Sequence, residues 1–170
     1  MRRVVVGATE TPGGMTALHR AAAEARVRDA ELWAVLAWQP PGGEIGSRNG
    51  CGPSDPAEHR AAAVERLRDV LATAFGTAGP GVALAGLTVR GTPGAALVGV
   101  AHEPEDLLVV GTGPRTVFHR LVRPSVARYC LVHAACPVLV VPPSPLQAEL
   151  EAVHRRNFWR RPLDLGELSA

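Results

Sequence analysis

The chain of 170 residues contains no lysine, so arginine supplies all 18 of its basic side chains. With 16 acidic residues, the formal net charge is only +2. A charge this small argues against nucleic acid as a partner. We attribute the missing lysine to biased codon usage in a GC-rich genome rather than to function.

Long apolar runs are missing as well. No segment approaches the ~20 apolar residues that cross a bilayer. The start, Met1-Arg2-Arg3, leads directly into a predicted strand and lacks the apolar region and cleavage site of a signal peptide. We therefore expect a cytoplasmic protein that has no membrane partner.

Cysteine is scarce, and recognisable catalytic motifs are missing. Cys51, Cys130 and Cys136 fit neither a disulfide framework nor metal-ligand spacing. Cys130 and Cys136 flank the end of an apolar helix, where thiols usually serve as small buried hydrophobes. The chain has no nucleophile elbow, P-loop or metal motif. We therefore predict no catalytic residue, no metal site and no enzymatic activity.

The histidines are expected to be structural. His119 has no carboxylate partner nearby in sequence, as acid–base chemistry would require, and surface exposure is favoured. His102 and His133 lie near predicted helix ends, where histidine often caps the last carbonyl groups. His59 is expected on the solvated face of its helix.

What the sequence does contain predicts an α/β fold. Hydrophobic residues make up 46% and aromatic residues 4%, so valine, leucine and alanine must form the core. Strands are predicted at 3–8, 32–38, 82–90, 107–110 and 138–141. Helices are predicted between them, at about 11–28, from 55, at 93–102 and at 124–133. Alternation without hairpins indicates a parallel sheet with right-handed crossovers. Ligands of such sheets bind at the carboxyl ends of the strands, here after the first and fourth.

Local signals refine these elements. Thr11 and Pro12 form a helix start, as N-cap and first-turn proline. Residues 55–58 resemble a capping box that opens the second helix. The buried face of that helix is predicted from the helical spacing of Val64, Leu67, Leu71 and Phe75.

Residues 1–143 are predicted to form the domain, and 39–54, rich in glycine and proline, a mobile loop within it. Residues 144–170 are predicted to be a C-terminal extension, helical and then irregular. Leu146, Leu150 and Val153 share one helical face, and 154–161 read HRRNFWRR. This tail could bind an acidic partner, a membrane surface or nucleic acid. We favour packing on the protein's own dimer, because eight residues make a small recognition surface.

Five segments together carry a family resemblance: VVVGATETP, ALHRAAAEARVRDAELWAVLAW, VRGTPGAAL, DLLVVGTG and CPVLVVP. In this order and spacing they resemble a universal stress protein domain. The resemblance implies a single Rossmann-like, flavodoxin-related, three-layer domain. Its five-stranded parallel sheet would have the order 3-2-1-4-5, with helices on both faces. It also implies a cytoplasmic stress-response protein and a homodimer formed through the last strand, Val138–Val141. Some members of the family bind ATP and others do not.

The ATP-binding members carry glycine, two residues, glycine, nine residues, then glycine and serine or threonine. Gly111 and Ser125 match the first and last positions, but Pro114 and Pro124 replace the two glycines between. The family's aspartate after the first strand falls at Thr9. Proline has no N–H to donate to a phosphate. Losing two such donors costs on the order of 3 kcal/mol, or roughly a hundredfold in affinity.

Other features favour a ligand, so two hypotheses stay open. Ser125 offers a hydroxyl and an N–H at a helix N-terminus. Arg115, Arg120 and Arg123 could grip phosphate oxygens, although solvated surface arginines are the plainer interpretation. One hypothesis is an adenine-nucleotide-binding regulator using ATP or AMP; the other is a dimeric interaction module for protein partners. The candidate nucleotide site comprises Gly7, Thr9, Ala37, Val110, Gly111, Gly113, Arg115, Ser125 and Val126.

Overall fold

The computed structural model describes residues 2–39, 56–112, 125–142 and 144. The predicted loop 39–54, apart from Gln39, and the tail after 144 lie outside these residues. The five strands are β1 (Arg3–Gly7), β2 (Glu31–Trp38), β3 (Leu84–Arg90), β4 (Leu107–Gly111) and β5 (Val138–Val141). The helices are α1 (Pro12–Arg28), α2 (Pro56–Phe75), α3 (Pro93–Val100) and α4 (Val126–His133), with a 3₁₀ turn at Gly76–Ala78.

The strands form one sheet of order β3-β2-β1-β4-β5, and every neighbouring pair is parallel. This confirms the predicted topology. β1 lies at the centre, and its Val4, Val5 and Val6 are completely buried. Strands covered on both faces read as continuous apolar runs, which explains VVV and LLVV in this chain.

Two apolar cores lie on opposite faces of the sheet. Because successive strand residues point to opposite faces, Val4 and Val6 join the core under α1 and α2, while Val5 joins the core under α3 and α4. α1 contributes mainly alanine to the first core, including Ala17, Ala21 and Ala25. Small side chains let this helix approach the sheet closely.

The predicted buried face of α2 is partly wrong. Leu67 is buried, but Val64, Leu71 and Phe75 are only half-buried. The deepest positions besides Leu67 are Ala63, Val70 and Ala74. The stripe is therefore rotated toward the alanines, because small residues fit where the helix lies nearest the sheet. The prediction used large apolar residues alone, and it therefore placed the buried face of α2 at the wrong angle around the helix.

Several element ends also differ from the prediction. α4 begins at Val126 rather than 124, because Ser125 has extended backbone angles and serves as its N-cap. α3 ends at Val100, and Ala101 leaves the helical region with ψ of 70°. β3 begins at Leu84, two residues late, and is an edge strand as expected.

None of the helices within the described ranges is long and apolar enough to cross a membrane.

Candidate functional site

The carboxyl ends of β1, β2 and β4 bring four of the candidate residues to one edge of the sheet. Gly7 ends β1 and Gly111 ends β4, while Ala37 and Val110 each lie one residue before the end of their strand. β1 pairs with β4 up to Val6 and Val109, so these ends are adjacent. Gly113 and Arg115 lie outside the described residues, as do Pro114 and Pro124.

Gly111 is in close backbone contact with α1. A β-carbon on residue 111 would collide with the carbonyl oxygen of Gly13 and would lie 3.4 Å from the β-carbon of Ala17. In the same contact, a β-carbon on residue 13 would lie 2.7 Å from the carbonyl oxygen of Thr112. The two glycines thus let the first turn of α1 lie directly on the end of β4. Packing alone accounts for glycine at 111.

Thr9, at the position of the family's aspartate, is engaged with the N-terminus of α1. Its hydroxyl lies 2.9 Å from that of Thr11, and Thr11 accepts a hydrogen bond from the Gly14 N–H at 3.2 Å. The predicted N-cap is confirmed. A β-carbon on Gly14 would collide with the Thr9 hydroxyl and would lie 2.8 Å from the Thr9 carbonyl oxygen, so a larger residue there would have to displace the backbone. The hydroxyl pair therefore serves the helix cap in this structure.

Ser125 and Val126 mark the N-terminus of α4. Ser125 is exposed, and its side chain makes no capping hydrogen bond. Val126 is half-buried and packs against the core under α3 and α4. Ser125 is thus an exposed residue at the positive end of the helix dipole, where an anion would be favoured.

Thr112 is a residue of this edge that sequence reasoning missed. Its N–H and its hydroxyl both donate to the carbonyl oxygen of Val141, at 2.9 and 3.3 Å. The end of β4 is therefore tied to the end of β5. The sequence signal was a threonine directly after the strand, which is too common to interpret alone.

The profile of the universal stress protein family matches residues 1–142. The chain belongs to that family. The match covers the whole described sheet and ends directly after β5.

Solved structures of the family share the fold. A universal stress protein in complex with cAMP is 27% identical, with a TM-score of 0.60, and the alignment covers 84% of this chain and 98% of that one. A family member from Burkholderia pseudomallei is 25% identical, with a TM-score of 0.53 and coverages of 84% and 96%. The protein UspA from Lactobacillus plantarum is 24% identical, with a TM-score of 0.52 and coverages of 82% and 97%. A search by sequence among curated proteins finds no match.

The one buried charged residue within the described ranges of this universal stress protein lies at the opposite edge. Asp106 precedes β4 and is 1% exposed. Arg3 donates to both of its oxygens, at 2.9 and 2.6 Å, and the Glu103 N–H donates at 3.2 Å. The Arg3 guanidinium also lies 4.8 Å from the centre of the Trp33 ring. This carboxylate is thus fully engaged in holding the amino ends of β1 and β4 together.

The histidines near helix ends behave as predicted. Nδ1 of His133 lies 2.9 Å from the Tyr129 carbonyl oxygen, and Nδ1 of His102 lies 3.0 Å from that of Val100. The prediction for His59 is wrong, because it is half-buried and its Nε2 is buried without a hydrogen-bond partner in the described structure. His119 lies outside the described residues. Glu10, an exposed turn residue, pairs with exposed Arg66.

Both cysteines of the described ranges are buried and unpaired, as predicted. Burial raises the pKa of the Cys130 thiol from 9.0 to about 11, and Cys136 adds to the shift. Burial also raises the pKa of Cys136, with a further contribution from the charge of Asp106. Thiols with raised pKa values are poor nucleophiles at neutral pH. Within the described residues, no group of three metal-ligating side chains occurs.

Proposed function

We propose that this universal stress protein is a non-catalytic, dimeric, cytoplasmic stress-response regulator or interaction module in which ATP binding is weakened or absent. The observation that carries this proposal is the contact between Gly111 and Gly13. The first glycine of the ATP-binding pattern has a packing role here, so its presence does not by itself indicate a phosphate site.

Two further positions support weakened binding. The Thr9 hydroxyl contributes to the cap of α1, where the ATP-binding members carry an aspartate. Pro114 and Pro124 offer no N–H at the places of two glycines. A phosphate site works because several backbone N–H groups converge on one anion. The loss of two of these donors therefore lowers the affinity for ATP.

A second candidate is an adenine-nucleotide-binding regulator, with ATP or AMP as ligand. Ser125 favours it, because the hydroxyl is exposed at a helix N-terminus and is not used as a cap. The 27%-identical relative in complex with cAMP also favours it. In this candidate, Ser125 and the arginines at 115, 120 and 123 hold the phosphates.

Calorimetric titration with ATP, AMP and cAMP separates the two candidates. The main proposal expects no heat below millimolar nucleotide, and micromolar binding by the natural chain would refute it. The double variant P114G/P124G restores two donors and is expected to gain up to about a hundredfold in ATP affinity. The further change S125A should then reduce that gain. P137G, a proline change at the opposite edge of the sheet, is the matched control and should leave ATP binding as it is.

The proposed dimer uses β5. Within the described residues β5 lies at the edge of the sheet, and its Val138, Leu139 and Val140 are only half-buried. An edge strand has unpaired backbone groups that a second copy can pair. Light scattering coupled to gel filtration should give twice the monomer mass of 17.8 kDa. A monomer at micromolar concentration would refute the dimer.

A further inference from the structure

The outer flank of α4 carries an apolar patch. Leu131 and Val132 are 59% and 70% exposed, and they are two of the four exposed large hydrophobic residues in the described ranges. At about 100° per residue, Leu131, Arg128 and Val132 fall within an arc of about 100° on the helix. We call these three residues the α4 patch. Within the described ranges, no carboxylate forms an ion pair with Arg128.

The neighbours of α4 locate the patch. Tyr129 packs against α3, since a β-carbon on Gly94 would lie 2.6 Å from the Tyr129 ring. Cys130 is completely buried against the sheet. Leu131 lies about 200° around the helix from Tyr129 and therefore faces away from α3. α3 covers β1 and β2, whereas α4 covers β4 and β5, so Leu131 lies on the side of the edge strand β5. Arg128 and Val132 each lie about 160° around the helix from Cys130 and therefore face outward, away from the sheet.

The chain itself provides a matching segment close by. The described chain leaves β5 at Val141 and is last described at Ser144, from which residues 145–170 continue. In that continuation, Leu146, Leu150 and Val153 share one helical face, and Glu149 borders it. This face complements the α4 patch, which consists of two apolar side chains and an arginine. The apolar side chains can pack together, and the carboxylate can pair with the arginine.

The lengths agree with this pairing. α4 is followed by four residues and then β5, so its last turn, with Leu131 and Val132, lies near the amino end of β5. β5 has four residues and is about 13 Å long. A helix of residues 146–153 would be about 12 Å long and, turning back from Ser144, would reach that end. A tethered segment also has an effective concentration in the millimolar range, which favours it over a free partner.

We propose that residues 146–153 form a helix that packs on the α4 patch of the same chain, with Leu150 against Leu131 and Glu149 beside Arg128. This proposal is independent of nucleotide binding. The tail would thus cover the flank next to β5 and would set how much surface a second copy or a protein partner meets there.

Amide hydrogen exchange of the full chain tests the proposal. In the natural protein, residues 146–153 should exchange at least about tenfold more slowly than the same residues in a free peptide. The variant L131Q/V132Q should lose this protection. V27Q changes a valine that is 84% exposed on α1, and as the matched control it should keep the protection. Exchange at the free-peptide rate in the natural chain, or protection that survives L131Q/V132Q, would overturn the proposal.

A charge exchange tests the partner assignment. R128E and E149R should each reduce the protection of residues 146–153, and R128E/E149R should restore it. The measurements are repeated at several protein concentrations. Protection within one chain does not depend on protein concentration. Protection that disappears on dilution would therefore show that the α4 patch binds a second copy, and it would refute packing of the tail on its own chain.

Discussion

The carbonyl oxygen of Gly13 occupies the space that a β-carbon on residue 111 would need. This contact joins the first turn of α1 to the end of β4, the two elements that border the candidate site. The backbones of α1 and β4 can therefore touch only because both residues are glycine. This requirement holds whatever the site binds.

Gly111→Ala should lower the free energy of unfolding by about 1–3 kcal/mol, because the added methyl group must push backbone apart. Urea denaturation measures the change. Gly99→Ala is the matched control: no atom lies within 4 Å of the added carbon, and Gly99 is within α3. That variant should be about 0.5 kcal/mol more stable. Equal stability of the two variants would show that the close contact does not exist in solution.

Thr11→Ala should cost about 1 kcal/mol of the free energy of unfolding, because the Gly14 N–H loses its acceptor and Thr9 loses its partner. Thr92→Ala is the control, since Thr92 occupies the same N-cap position of α3 without a side-chain capping bond. The loss in free energy of unfolding for Thr92→Ala should be close to zero. Thermal unfolding of both variants makes the comparison, and a larger loss for Thr92→Ala would contradict the assigned cap.

Asp106→Ala should destabilise the protein by about 3 kcal/mol, because Arg3 would remain largely buried without its partner. The exposed pair between Arg68 and Glu65 provides the control. Glu65→Ala should change stability by less than about 0.5 kcal/mol. Chemical denaturation at constant salt gives both values. A loss for Asp106→Ala as small as that for Glu65→Ala would mean that the pair contributes little.

The buried thiol of Cys130 predicts a loss of stability at alkaline pH. Burial raises its pKa from 9.0 to about 11 in the folded chain. The thiol therefore contributes its stabilisation fully below pH 9 and loses it as the pH rises toward 11, by about 2–3 kcal/mol. Cys130→Ala removes the titrating group. The difference in unfolding free energy between the natural chain and this variant should shrink from pH 8 to pH 11, and a constant difference would exclude the titration.

The fold was largely predictable because its signals are local. Apolar runs such as VVV and LLVV mark buried strands, and Thr11 with Pro12 marks a helix start; both predictions are confirmed. The rotation of α2 toward Ala63, Val70 and Ala74 was not predictable from large apolar residues. It depends on how closely the helix approaches the sheet, which involves side chains distant in sequence.

The candidate site was less predictable. The sequence pattern placed Gly111 and Thr9 directly after strands, and the structure places both at the carboxyl edge of the sheet. The role of Gly111 in a phosphate loop stays a prediction. Only the structure shows Gly13 against Gly111, and the Thr9 hydroxyl beside that of Thr11. The contact between Gly13 and Gly111 joins α1 to β4 across almost a hundred residues, so no local pattern records it.

The sequence by itself determined the order of strands and helices, the family, and the missing N–H groups of Pro114 and Pro124. Each of these depends on residue type and spacing along the chain. Tertiary structure alone decided that Gly111 is needed for packing, that Asp106 is held by Arg3, and that Leu131 and Val132 lie exposed on the outside of α4. The physical reason is that close approach and burial depend on which surfaces meet after the chain has folded.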